Sequence, residues 1–261
     1  LAIQAPVRGL PLAIETTVGV ALAPAGSADL VEMLRQAHAA MRRARSEGEA
    51  VGWFDPTVGT GDTDRLTLLT ELRAALNRDD ELVLMLHPVV DLRTGAPLEV
   101  EALVRWRHPR RGLLAPAEFV RAVEDSELLS SFTEYVLDRA LAVAAELKRA
   151  GHTLPVAVNL SARSLLDPRL PGAVAALLRK HDLDGRRLVL EITETVVSGE
   201  LPGVEEALAA LRALGVRLAV DDFGTGYASF KLLTRFRLDE VKIDQSFVTT
   251  MAESAEAAAI V

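Results

Sequence analysis

The spacing of apolar positions changes rhythm once along the chain. In residues 1–56, Thr17–Leu22 reads as a strand, with Pro24 and Gly26 behind it as breakers. Asp29 then stands as a helix N-cap, and Val31, Leu34, Ala37 and Met41 keep helical spacing up to Gly48. Val51–Phe54 is a short apolar strand. Strand, helix and strand in so short a segment bury little, so the pattern predicts a segment that leans on further sequence. The stretch 57–64 is polar, glycine-containing and aperiodic, and is the expected linker.

From residue 65 to 261 strand and helix patterns alternate. A helix is predicted near Leu66–Leu76, followed by strands at Leu82–Leu92 and Leu98–Trp106 and helices near Pro116–Val123 and Phe132–Ala150. Further strands are expected at Pro155–Leu160, Leu188–Thr193, Val216–Val220 and Glu240–Asp244. Helices near Pro171–Lys180, Gly203–Leu214 and Ala228–Phe236 separate them. Strands apolar on both faces and separated by helices predict an α/β domain, a mostly parallel sheet covered by helices.

Composition narrows the class. Hydrophobic residues at 49% and charged residues at 25% exclude a disordered chain. Acidic residues outnumber basic ones, 37 to 29, which argues against a nucleic-acid polymer as partner. No apolar run reaches the roughly 18 residues of a membrane span. With no cysteine there is no thiolate site, in keeping with a reducing compartment. The chain starts at Leu1 with no signal-peptide pattern and is expected to be part of a longer protein, cytoplasmic or the cytoplasmic portion of a membrane-anchored one.

The candidate chemistry lies in polar residues set into apolar strands: Glu101, Asn159, Glu191, Asp221, Asp222 and Lys242. A lone carboxylate at a strand end is more often a helix cap or surface charge, and a lone lysine a salt-bridge partner. Recurrence over five strands argues for one shared site. If the parallel strands close into a (β/α) barrel, their C-terminal ends converge on one mouth. Four carboxylates and an amide oxygen there form an all-oxygen set suited to Mg²⁺ or Mn²⁺. The adjacent aspartates would let one carboxylate serve two ions, an arrangement used for in-line phosphoester displacement.

In order, EAL (Glu101–Leu103), RW (Arg105–Trp106), VNLS (Val158–Ser161), EITE (Glu191–Glu194), DDFGTGY (Asp221–Tyr227) and KID (Lys242–Asp244) resemble the EAL-domain cyclic diguanylate phosphodiesterases. The resemblance runs from about Leu66 to Val261 and implies a modified TIM-type barrel. It further implies metal-dependent hydrolysis of cyclic diguanylate to linear pGpG, with two Mg²⁺ or Mn²⁺ ions. Glu101, Asn159, Glu191 and Asp221 look like metal ligands, with Asp221 shared and Asp222 on the second ion. Glu101, Asp222 and Lys242 correspond to the catalytic groups, Lys242 to the lysine that positions or polarises the attacking water. Arg105 and Asp244 correspond to substrate contacts, and Glu194 to the anchor of the loop Phe223–Ser229. A homodimer through this domain is implied. His87 stands where the family usually has Gln. The barrel's last strands, with a further glutamate of the site, are expected beyond Val261, so that the 261 residues by themselves are expected to be poorly stable and essentially inactive, and the longer chain active.

Residues 1–56 are similar to the C-terminal part of a GGDEF-type diguanylate cyclase domain, through TTVGVALAP, MLRQAHAAMRRARSEG and VGWFDP. The family usually has Asp at His38, Tyr at Arg42 and Lys at Arg45. Other signals carry less. Asp222–Gly224 spells a kinase metal triplet without its companion motifs. Gly224 and Gly226 lack the third glycine of a dinucleotide fingerprint. The five histidines lack zinc spacing. Two readings remain: a phosphodiesterase, favoured by the intact metal residues, and an inactive EAL domain that senses cyclic diguanylate or docks a partner, favoured by His87 and by the strands expected beyond Val261.

Overall fold

The computed structural model describes residues 2–7, 10–22, 29–46, 48–55, 62–194, 196, 203–224 and 236–261. It divides into two compact units, Leu1–Glu71 and Leu72–Val261. The breakers Pro24 and Gly26, most of the expected linker and most of the helix expected at Ala228–Phe236 lie outside the described residues.

In the first unit, β1 (Ala2–Val7) and β2 (Leu10–Glu15) form an antiparallel hairpin. The strands expected from the sequence begin only at Thr17, and Pro6 and Pro11 each remove a ladder donor from this hairpin. The register sets the two prolines opposite each other. β3 (Val18–Val20) and β4 (Val51–Trp53) pair in parallel through α1 (Leu30–Ser46), the expected strand–helix–strand unit. The Asp29 carboxylate accepts the Val31 N–H at 3.0 Å, capping α1. Glycines let the helix backbone lie directly on the strands: a Cβ on Gly52 would stand 2.2 Å from the Ala40 carbonyl oxygen. α2 (Asp62–Ala75), whose residues fall on both sides of the division after Glu71, starts earlier than its apolar spacing indicates, inside the expected linker.

The second unit is an α/β sheet with strand order β11-β10-β9-β8-β6-β5, and β7 beside β6. Its strands are β5 (Leu82–Val90), β6 (Pro97–His108), β7 (Gly112–Leu114), β8 (Val156–Asn159), β9 (Leu188–Thr193), β10 (Arg217–Phe223) and β11 (Glu240–Ile243). Its helices include α3 (Pro116–Glu124), α4 (Leu129–Arg149), α5 (Ala162–Leu165), α6 (Leu170–Lys180), α7 (Val204–Ala213), α8 (Gln245–Thr250) and α9 (Ala255–Ile260).

From β6 through β11 the main path is parallel, but β5 runs antiparallel to β6. The reason is the short connection. Asp91 accepts the N–H groups of Arg93 and Thr94 at 2.9 and 2.8 Å and turns the chain within six residues, whereas a parallel crossover needs a dozen or more. β5 is therefore not the doubly buried strand its apolar run indicates; Met85, Leu86 and Val90 are exposed.

On the helix-covered face, Trp106 packs edge-on against Phe119 of α3 at 5.6 Å, and Phe119 against Phe132 of α4 at 6.0 Å. α4 buries Phe132, Val136, Leu137, Ala140, Leu141 and Ala144, the single stripe expected of an amphipathic helix. Leu188, Leu190 and Ile192 of β9 and Leu218 and Val220 of β10 are also buried.

Candidate active site

Period two along each strand and the pairing register fix what lies on the opposite face. Glu101 pairs with Ala157, Ala157 with Val189 and Val189 with Arg217. One step further on, Asn159 pairs with Glu191, Glu191 with Ala219 and Ala219 with Glu240. Directly paired residues share a face, so Glu101, Asn159, Glu191, Asp221 and Lys242 share this one. Ala157, Val189 and Ala219 form its buried apolar floor.

Lys242 draws these groups together. Its Nζ donates to Glu191 Oε2 at 2.7 Å and stands 3.4 Å from Glu101 Oε2 and 3.5 Å from Asp221 Oδ1. Asn159 Nδ2 donates to Glu101 Oε1 at 2.8 Å. β11 and β6 are four strand steps apart, about 19 Å in a flat sheet and further than two side chains can span. The contact between Lys242 and Glu101 thus requires a strongly curled sheet with these residues on the concave side.

Electrostatics follow from the geometry. Burial opposes the charge on Lys242, but the hydrogen bond to Glu191 and the fields of Glu191, Asp221 and Glu101 outweigh it and raise its pKa. Burial pushes the Glu191 carboxyl upward while Lys242 holds it down. Glu191 is 1% exposed, and its Oε1 has no hydrogen-bond partner. An orphaned buried carboxylate oxygen in a concave cluster of oxygens is the feature a hard divalent cation would satisfy. Among the described residues no three His, Asp or Glu side chains stand at metal-ligand spacing; the Lys242 ammonium lies between the carboxylates. The donor set fits a metal ion, with Lys242 as the competing cation.

Asp222 is held differently. Between Val220 and Phe223, β10 has one more residue than β11, and Asp222 takes a φ of 54°. This bulge aims Asp222 away from the direction its place after Asp221 dictates. Its carboxyl hydrogen-bonds Asp244. Burial, then the charges of Asp221 and Asp244, raise its pKa; hydrogen bonds from the Ser246 side chain and backbone lower that of Asp244. Asp244 also caps α8, accepting the Ser246 N–H at 2.8 Å.

Glu194 is buried and its Oε2 accepts the Gly224 N–H at 2.8 Å. Gly224 has a φ of 103°, and a Cβ there would stand 2.5 Å from the Phe247 ring. The rest of the loop expected around it, 225–229, lies outside the described residues. Arg105 is not drawn into the cluster; it sits four residues beyond Glu101 on β6, with Nη1 donating to the Val104 carbonyl at 2.9 Å. His87 pairs directly with Glu101 across β5 and β6 and is exposed.

A second ionic group was missed by sequence reasoning: Glu99, Arg217 and Glu240. Arg217 Nη2 donates to Glu240 Oε1, and its Nη1 lies 3.8 Å from Glu99 Oε2. Glu99 is 4% exposed, and burial, then the Glu240 charge, pushes it up to about 7 against the pull of Arg217. The signal was available in Glu99 and Glu101, and in Glu240 and Lys242, which are spaced by two in apolar strands.

A curled, mostly parallel α/β sheet with carboxylates and a lysine on its concave face defines the class. The chain belongs to the EAL domain family, whose profile matches residues 69–261. It is 35% identical over 266 residues to a cyclic di-GMP phosphodiesterase of Pseudomonas aeruginosa, covering 99% of this chain and 45% of that protein. It is 36% identical over 250 residues to the bifunctional diguanylate cyclase/cyclic di-GMP phosphodiesterase MucR of the same organism, covering 95% of this chain and 36% of MucR. A solved structure of the MucR phosphodiesterase in complex with c-di-GMP superposes with a TM-score of 0.69 at 38% identity, covering 74% of this chain and 78% of that one. The chain thus spans less than half the length of these two curated relatives.

Proposed function

We propose that this protein hydrolyses cyclic di-GMP to linear pGpG in a reaction that depends on two divalent ions, Mg²⁺ or Mn²⁺. One observation carries the reading: Glu101, Asn159, Glu191 and Asp221 meet around one point on the concave face, with Glu191 Oε1 buried and unpartnered. Relatives that bear the phosphodiesterase name support the substrate.

In this reading Glu101, Asn159, Glu191 and Asp221 hold one ion, and Asp221 and Asp222 the other. When bound, the ions polarise the phosphodiester and lower the pKa of water. Three carboxylates against one ammonium would otherwise repel the anionic substrate. Lys242 orients the attacking water and offsets charge as the pentavalent phosphorus forms. Arg105 and Asp244 contact the substrate, and Glu194 fixes the turn at Gly224 that lines the mouth. Arg105 would have to leave the Val104 carbonyl to do so.

The finer architecture belongs to the same proposal. The curled sheet is read as part of a TIM-type barrel over residues 65–261, joined by a linker at 57–64 to a partial GGDEF-like segment at 1–56. The parallel βαβ unit of β3, α1 and β4 supports that last assignment. No helix among the described residues is long and apolar enough to cross a membrane. A cytoplasmic homodimer is the proposed form. Chromatography of cyclic di-GMP incubated with the protein and Mn²⁺ tests the function: pGpG is expected from the wild type and none from Glu191→Gln. Tight binding with nucleotide recovered intact from both proteins would identify a receptor instead.

A further inference from the structure

We propose that Arg217 is a positioning residue, which holds Lys242 on its carboxylates by occupying the acidic side chain of Glu240, which would otherwise draw the ammonium away. The proposal rests on the phosphodiesterase reading for its kinetic arm only. Its basis is two cationic bridges on one concave face. Lys242 bridges β11 to β6 through Glu101, and Arg217 bridges β10 to β6 through Glu99 and to β11 through Glu240. Glu99 and Glu240 each stand two residues before a member of the upper cluster, Glu101 and Lys242, on the same strand and face.

The layer is almost closed to water at Glu99, which is 4% exposed and whose Oε2 has no hydrogen-bond partner. Glu99 feels the charges of Glu240, Arg217 and Lys242. Arg217 is thus the near cation that offsets two acidic groups, and Lys242 is the next. Without Arg217, Glu99, which burial already pushes up, is held neutral by a proton, and Glu240 is the carboxylate that loses its ion pair. The long, flexible ammonium arm of Lys242 is the nearest remedy. Its descent toward Glu240 would strip the water-orienting charge from the mouth while leaving Glu101, Glu191 and Asp221 freer to take a divalent ion.

This predicts opposite movements that a general loosening of the fold does not produce. Arg217→Met should lower kcat by at least about tenfold, with KM for cyclic di-GMP little changed, because the loss falls on transition-state charge. Mn²⁺ affinity, measured by calorimetry on the same protein without substrate, should rise several-fold. Arg217→Lys, which keeps the charge, should return both quantities toward wild type. The double variant Arg217→Met/Glu240→Gln removes the stranded carboxylate along with its cation. It should fold even where the single variant does not, and recover kcat and the wild-type Mn²⁺ affinity. Weaker Mn²⁺ binding in a folded Arg217→Met protein, or wild-type Mn²⁺ binding and kcat in that variant, would overturn the proposal, as would a folded double variant with Mn²⁺ affinity still displaced. If the wild type binds Mn²⁺ but releases no pGpG, the phosphodiesterase reading fails while the Mn²⁺ measurements still decide the role of Arg217.

Discussion

Replacing Glu99 by Gln should make stability depend less on pH, and the sign follows from burial. The carboxyl is pushed from 4.5 up to about 7 by desolvation and by Glu240, with Arg217 pulling the other way. A group whose pKa is higher in the folded state binds more protons there, so it contributes stability that is full below about 4.5 and is lost as pH rises through about 7. The difference between the two values corresponds to on the order of 3 kcal/mol. The residue is 4% exposed, so solvent screening takes little from that figure. Glutamine keeps the shape and has no proton to lose. Glu99→Gln should therefore match the wild type near pH 4.5 and exceed it by about 2–3 kcal/mol at pH 8. Urea unfolding followed by Trp106 fluorescence reads the second unit alone once Trp53, the other tryptophan of the chain, is replaced by Phe. A difference that does not change with pH, or that favours the wild type more as pH rises, would refute the assignment of Glu99 as a buried carboxyl without full compensation.

Asp222→Asn should keep the fold, since Asn tolerates the φ of 54°, and should slow hydrolysis by about 10²–10³-fold at saturating metal; circular dichroism and steady-state rates check both halves. Gly224→Ala combines a φ of 103° with a Cβ 2.5 Å from the Phe247 ring, so it should destabilise by about 1–3 kcal/mol and lower activity through the Glu194 contact, as thermal unfolding and the same rate assay would show. Ca²⁺ in place of Mg²⁺ or Mn²⁺ should suppress turnover, because it prefers longer bonds and more ligands; equal rates with Ca²⁺ would count against the hard-cation site.

What the sequence disclosed tracks what its patterns encode. The strand at Leu188–Thr193 is observed with the expected bounds, because five of its residues are buried and bulky residues run unbroken along both faces. β5 was legible as a strand but not as antiparallel or exposed, since direction is set by the Asp91 turn and exposure by its place at the sheet edge. Glu101, Asn159, Glu191 and Asp221 were legible as costly residues in apolar strands. Their gathering around Lys242 was not, because it depends on how far the sheet curls. The same curvature brings Arg217 to Glu99 from a strand three steps away. Asp222 was legible by position alone; the bulge and positive φ that turn it toward Asp244 have no signature in the apolar pattern.

Hydrolysis in ¹⁸O-labelled water separates a hydrolase from a receptor. The protein is incubated with cyclic di-GMP and Mn²⁺, and the product is weighed by mass spectrometry. Linear pGpG carrying one ¹⁸O on its terminal phosphate is expected, and none when a chelator replaces the metal. Cyclic di-GMP recovered unlabelled and intact in Mn²⁺, or labelled pGpG formed equally in chelator, would contradict the metal-dependent phosphodiesterase reading.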